Sequence, residues 1–475
     1  MSINADSTSP QQPTRVAIVG GGLAGLAAAT ALAEAGQSVE LFETKRRLGG
    51  RATSFEEPQT GELIDNCQHV AMGCCTNFLD FCKRTGSDHL LRCDTRLHFF
   101  ATDGKRNDLG AAGWLPAPLH LAPSFMRLSY LSLKDRIQIG RGLVALARSA
   151  NQSNDEHLTI GPWLRNHGQS EHAIRCFWEV VLVSALAESL DRASLHAARK
   201  VFVDGFLRSS SAFNLHVPAV PLQQLYDQVA AHLSKHHAEV HLGNPVRKVE
   251  RSKRGICLRL DDDASHQFDF AVVAVPWRRA AEVLPTELSD IAVVADGTPS
   301  SPISSLHLWF DQPTMNLPHA VLVDRLSQWV FTGPAISRSA SAPESHYYQV
   351  VISASRDLAS RTRESVLREV LQDLRETFPD AHRAKLLDWR MITEPHAVFS
   401  VTPEVERQRP SQQTACRQIL LAGDWTRTGW PATMEGAVRS GYLAAEAILG
   451  QIGINKPQVV PDLEPSWLAR WLRLA

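Results

Sequence analysis

The segment from Arg15 to Glu43, RVAIVGGGLAGLAAATALAEAGQSVELFE, constrains this chain more than any other. Val16, Ile18 and Val19 form the short apolar run of a buried parallel strand, and Gly20, Gly22 and Gly25 follow it at G-x-G-x-x-G spacing. The Leu- and Ala-rich run from Leu23 to Ala35 has high helix propensity throughout, and Gly36 ends it. The glycines therefore fall at a strand-to-helix turn. Gly20 permits the turn, Gly22 lets backbone approach a pyrophosphate, and Gly25 lets the helix lie close on the strand, while free N–H groups at the helix start face phosphate charge. A second strand, Ser38 to Phe42, delivers Glu43 to where a carboxylate holds two ribose hydroxyls and repels a 2′-phosphate. A glycine-rich turn in some other α/β protein needs none of these companions; strand, helix, second strand and acid together predict a Rossmann-type dinucleotide cradle.

A chain of 475 residues buries a large core and divides into two connected domains. Its 49 Lys plus Arg against 50 Asp plus Glu leave no basic surplus, so no nucleic-acid partner is expected. The eight cysteines contain no C-x-x-C pair, which predicts reduced thiols in a cytoplasmic protein; a redox or metal role for adjacent Cys74 and Cys75 is the alternative. Residues 1–14 are polar and read as a disordered tail. No apolar run approaches the ~18 residues of a spanning helix, which leaves peripheral contact as the only membrane option. Helical spacing aligns His232 with His236, near His237 and His241, but no acid or thiol in that stretch completes a site, so no metal is expected.

After Glu43 and Lys45 comes Gly49-Gly50-Arg51, a second place where backbone packs against a dinucleotide and a guanidinium reaches a phosphate or the cofactor ring. With this addition the sequence resembles the flavoprotein superfamily of amine oxidases, protoporphyrinogen oxidases and phytoene desaturases. That resemblance implies FAD, with Glu43 on the adenosine ribose and Gly49, Gly50 and Arg51 along the pyrophosphate and flavin. It implies a glutathione-reductase-like FAD-binding domain (15–75, 221–298 and 410–452) interleaved with an α+β substrate domain (76–220 and 299–409), then a tail (453–475). Relatives often carry Arg where this chain has Lys45.

Leu63-Ile64-Asp65-Asn66, Gln68-His69-Val70, Gly73, Thr76-Asn77 and Leu79-Asp80-Phe81 resemble the squalene-associated desaturase branch, the hydroxysqualene dehydroxylases, which usually have glycine at the position of Cys67. Family position sets Gln68 and His69 near the flavin. His69 is either a proton donor of near-neutral pKa or a ring held by a backbone carbonyl. The run from Val181 to Phe202 resembles the same branch, and its polar members Glu188, Asp191 and Arg192 read by default as exposed helix charges. The family resemblance also brings the Val246 backbone to the adenine. Residues 299–401 carry strand-like runs and a helix near 364–378, without a catalytic motif.

Near the end, ILLAGDWTRTGWPATMEGAVRSGYLAAEAILG runs a strand into Gly423-Asp424 and opens a helix near Met434. An acid there suits ribityl or pyrophosphate hydroxyls, and a helix N-terminus suits the anionic N1–C2 edge of a reduced flavin. The resemblance assigns these roles to Asp424 and the Met434 backbone. Amine oxidases proper place an aromatic where this chain has Thr433, which argues against amine substrates.

Two stretches admit two readings each. The apolar, Arg- and Lys-edged run from Leu109 to Ser149 is either ordinary helices or a greasy entrance resting on a membrane, framed by Trp114, Leu119, Phe125 and Met126. The terminal EPSWLARWLRLA either docks on the body or dips into an anionic leaflet through Trp467, Leu468, Trp471 and Leu472. Together the resemblances imply an FAD oxidoreductase acting on a long isoprenoid, hydroxysqualene in hopanoid biosynthesis, with His69, Glu188 and Glu435 as candidate acids. A carotenoid or phytoene-type desaturase and a non-catalytic prenyl-lipid carrier are the rivals. No second nicotinamide motif names the electron donor.

Overall fold

Four of the five residues of the strand Arg15–Val19 are buried, as in a parallel strand covered on both faces. The computed structural model describes residues 12–57, 61–149, 157–253, 255–261, 265–333 and 345–474; most of the tail expected at 1–14 lies outside them. The strand is the centre of a five-stranded parallel sheet ordered Glu239–Leu242, Ser38–Glu43, Arg15–Val19, Phe270–Val273, Ile419–Leu421. Side chains at alternate positions enter different layers. Val16 and Ile18 pack with the helices Leu23–Glu34, Leu222–Lys235 and Met434–Gln451. Ala17 and Val19 join the cluster that holds Val249, Ile256 and Leu258 of the three-stranded meander Val246–Ser252, Gly255–Leu260, Ser265–Phe268.

The helices Leu23–Glu34 and Met434–Gln451 touch almost backbone to backbone: a Cβ on Gly441 would lie 2.2 Å from the Ala24 carbonyl oxygen. Leu23 through Ala33 are all buried, and small residues make that depth possible. The two ends of the chain thus share one layer. This is the Rossmann-type nucleotide fold expected from the sequence.

The second architectural unit is a seven-stranded sheet ordered Leu386–Phe399, Ser300–Phe310, His346–Ser353, Trp329–Thr332, His319–Leu322, Arg96–Phe100, Arg106–Gly110. Its outer face buries Leu306, Leu308, Val350 and Ile352 against Val366, Val370 and Leu374 of the helix Arg363–Thr377. Ile303, Trp329, Phe331 and Val351, on the inner face, look toward a helical lobe formed by residues 119–148 and 160–207. Two π-type turns, Ile174–Glu179 and Val203–Leu207, interrupt that lobe. No helix among the described residues is long and apolar enough to cross a membrane.

The end of the chain is tied to the body. The Val460 N–H donates to Asn77 at 2.9 Å, the Lys200 ammonium to Asp462 at 2.7 Å, and the Ser466 N–H to the Arg208 carbonyl at 2.9 Å. Its helix is one short turn, Trp467–Trp471.

Candidate functional site

A cavity of about 1030 Å³ runs from the nucleotide sheet into the helical lobe. Gly20, Gly22, Leu23, Ala24, Glu43, Lys45, Gly49, Gly50, Arg51, Gln68, His69, Val246, Asp424, Thr433 and Met434 all line it. Gly25 does not, and its place explains why it must be glycine. A Cβ there would sit 1.9 Å from the Gly20 carbonyl oxygen, so the helix seats on the loop only without one. Gly49, at φ +106°, lies in the left-handed region. Its N–H donates to the Gly21 carbonyl at 2.9 Å, which brings the second glycine loop against the first.

Glu43 fixes the same corner, with one carboxylate oxygen accepting from the Gly21 N–H at 2.7 Å and the other from the Lys45 N–H at 2.8 Å. Arg51 forms an ion pair with Asp424 and donates to the Ala397 carbonyl at 2.8 Å. Its guanidinium rests over the Trp277 ring, 5.0 Å from the centroid. That ion pair joins positions 373 residues apart. Thr433 caps the helix Met434–Gln451, its hydroxyl accepting from the Gly436 N–H at 3.1 Å, and that helix N-terminus opens on the cavity. Cβ-free loops, a buried acid at the end of the second strand and a helix N-terminus facing open space fit an anionic dinucleotide.

The other end is apolar, walled by Phe125, Phe177, Val180, Val181, Phe202, Phe206 and Phe331. The π-type turns carry Phe177 and Phe206 into this wall. Phe177 stacks on Phe202 at 5.7 Å and meets Phe125 edge-on at 5.6 Å. The whole cavity exceeds the ~300–1,000 Å³ of a site for one drug-sized ligand, leaving room for a cofactor and part of a long substrate.

His69 sits at the seam between the two ends. Burial, reinforced by the Arg51 charge, lowers its pKa to about 4, against the opposing pull of the Cys67 carbonyl. Nδ1 lies 2.8 Å from that carbonyl, which can only accept, so Nδ1 carries the proton of the neutral ring. A near-neutral proton donor at His69 is therefore not what the structure contains. Cys67, where the resemblance implies glycine, has no positive φ, so a side chain fits without strain, and burial pushes its thiol up to about 12.

Two further candidate acids are corrected. Glu188 is fully buried, not exposed, and lies outside the cavity lining. Both its oxygens accept from Arg356, at 2.6 and 2.8 Å, and Ser400 donates as well. Burial raises its pKa, but Arg356 and Ser400 outweigh that and hold it below the ordinary carboxylate value. Glu435, also fully buried, points away from the cavity. It accepts from the Asn77 and Phe78 N–H groups at 2.9 and 2.8 Å and from Arg439, anchoring the start of the helix Thr76–Arg84. Burial raises its pKa, opposed by Arg439 and these donors. Both carboxylates are structural pins.

Other expectations also change. An acid does reach the histidine pair: Glu34 lies 2.9 Å from His232, and His236 is near enough for the three to share an ion. Arg84 sits 3.5 Å from the second Glu34 oxygen and supplies a cation of its own. Residues 299–401, which carry no catalytic motif, contribute Glu394, Ala397 and Val398 to the cavity lining, and Arg279 enters from the segment after the fourth sheet strand. No spacing rule marks them; they arrive through pairing of Leu386–Phe399 with Ser300–Phe310 and through the chain's exit from Phe270–Val273.

The family model for flavin-containing amine oxidoreductases matches residues 23–449. The chain belongs to this family. It is therefore a flavin oxidoreductase, and FAD is its cofactor. A hydroxysqualene dehydroxylase from Sinorhizobium fredii is 29% identical over 452 residues, covering 92% of this chain and 99% of the relative. A 15-cis-phytoene desaturase from an Oncidium hybrid is 26% identical over 470 residues, covering 94% and 79%. The solved cyclohexylamine oxidase from Brevibacterium oxydans superposes with a TM-score of 0.67 at 19% identity, over 93% of this chain and 99% of that one, a likeness of fold alone.

Proposed function

We propose that this enzyme replaces the allylic hydroxyl of hydroxysqualene with hydride, giving squalene and water in the hopanoid route. The observation that carries the reading is the single cavity, a dinucleotide cradle at one end and an aromatic, apolar arm at the other. The end-to-end match to hydroxysqualene dehydroxylases supports it, since the desaturase relative extends well beyond the matched region. Overall, alcohol, hydride and one proton become hydrocarbon and water.

Glu43 would hold the ribose hydroxyls and Val246 the adenine, with Gly20, Gly22, Leu23, Ala24, Gly49, Gly50 and Arg51 around the pyrophosphate. Asp424 would take the ribityl side, Thr433 and Met434 the N1–C2 edge, and Gln68 and His69 the ring. FAD, when reduced, supplies the hydride. The apolar arm orients the isoprenoid and excludes water, and its aromatic faces stabilise an allylic cation. His69 protonated on Nε2 is a strong acid toward the leaving hydroxyl, at the expense of a small charged population near neutrality.

That neutral ring favours a second reading. A phytoene-type desaturase removes a hydride and then a proton, and an unprotonated Nε2 is suited to take the proton. Anaerobic mixing separates the two. Dehydroxylation reoxidises reduced flavin with the alcohol and yields squalene by mass spectrometry; desaturation bleaches oxidised flavin with phytoene. If neither lipid changes the flavin spectrum, both readings fall; a protein that stays colourless after reconstitution with FAD would instead favour a lipid carrier.

A further inference from the structure

The rim of the cavity's apolar end carries large side chains that nothing in the described structure covers. The helix Leu133–Arg148, started by a Ser132–Asp135 capping box, exposes Leu133, Ile137 and Val144 along one side. Gly140 and Val144 of that side also line the cavity. Trp114 is 78% exposed in the preceding loop. The C-terminal turn, more than three hundred residues later, presents Trp467 and Trp471 at 66% and 75% exposure. These segments are physically one surface. The Ser466 hydroxyl donates to the Ala117 carbonyl, and Leu474 packs on Ala147 while itself lining the cavity.

Charge on the same surface is one-sided. Residues 114–148 expose Arg127, Lys134, Arg141 and Arg148, and residues 466–474 add Arg470 and Arg473. The only carboxylate in either segment, Asp135, is buried in its own helix cap. Exposed tryptophan beside arginine suits the headgroup level of a bilayer. A second copy of the chain would set cations against cations.

The geometry points to this rim as the docking face for an anionic phospholipid leaflet, seated so that the apolar mouth opens within the bilayer and the isoprenoid enters from hydrocarbon without crossing water. The entry route rests on the reading of an oily substrate; the docking face does not. No single segment makes the surface, which exists only where residues 466–474 fold back beside the Ala117 loop.

The test uses the full-length FAD-loaded protein in flotation with vesicles of phosphatidylcholine alone or mixed with phosphatidylglycerol. The wild type floats with the anionic vesicles, less so at high salt. The combined variant Trp114→Ser, Trp467→Ser, Trp471→Ser loses partitioning on the order of tenfold or more with an unchanged flavin spectrum. Arg470→Glu with Arg473→Glu weakens only the anionic preference. A wild type that stays in the aqueous fraction with both vesicles overturns the proposal, as does a dimer seen by light scattering that the triple variant dissolves. The substrate reading fails separately: the triple variant keeps turnover of detergent-dispersed substrate while losing turnover of vesicle-embedded substrate, and a protein that floats yet turns over neither refutes the oily substrate alone.

Discussion

The two ends of the cavity are built by opposite means. The nucleotide end uses backbone: glycines that a Cβ would block, N–H groups held by Glu43, a helix start capped by Thr433. The apolar end uses side-chain bulk, with Phe125, Phe177, Phe202 and Phe206 packed face and edge. Backbone geometry tolerates little change, whereas apolar walls accept any filling of similar volume. The contrast teaches where the molecule is brittle and where it is adaptable.

The strongest way to break the contrast is Gly25→Val. Its Cβ meets the Gly20 carbonyl, which neither loop nor helix can yield. We expect more than ~3 kcal/mol of destabilisation and protein that purifies without flavin absorbance. Acid acts next, on His69 beside the cavity and on His307, buried in the strand Ser300–Phe310. His69, at about 4, and His307, at about 3, are neutral in the fold but charge below about 6.5 in the unfolded chain. Their contribution is fully present above that pH and is lost as pH falls toward 4, on the order of 3 kcal/mol for His69. Asp65, raised to about 6 by burial, opposes this by gaining stability as pH falls from about 6 toward its unfolded value near 4. Melting temperature measured from pH 7.5 to 4.5 should fall, and less steeply in His69→Gln.

Val180→Asp sharpens the contrast from the other side. It puts an unpaired charge in the apolar arm, a cavity's length from the nucleotide cradle. Flavin content should stay normal while turnover of the proposed isoprenoid substrate drops by about 100-fold; lost flavin would show that the two ends are not separable. The smallest effect is Thr433→Ala, which removes one cap bond and should cost about 1 kcal/mol in thermal unfolding.

The same contrast explains what the sequence could reveal. Phosphate recognition imposes fixed spacing on neighbouring backbone, so Gly20 to Glu43 and Gly423 to Met434 could be located from residue order. Carboxylates are different, because their chemistry is set by partners remote in the chain. Glu188 looks available until Arg356, 168 positions on, is placed against it, and Glu435 until Asn77, 358 positions away, donates to it. Glu394 and Arg279 were invisible for the complementary reason: sheet pairing brings Glu394 to the cavity and the chain's exit from the strand Phe270–Val273 brings Arg279, neither marked by local pattern. The aromatic wall could be sensed only as greasy composition, since π-type turns decide which ring points inward.

The ion pair between Arg51 and Asp424 has a consequence for biosynthesis. A ribosome adding ~5–20 residues per second needs roughly 20–75 s to travel the 373 positions between them. Throughout that interval the nascent cradle has its glycines but neither the Asp424 carboxylate that pairs with Arg51 nor the closing helix beneath it. Cofactor capture is thereby deferred until nearly the entire polypeptide has emerged, and chains released early are left without prosthetic group, open to proteolytic clearance.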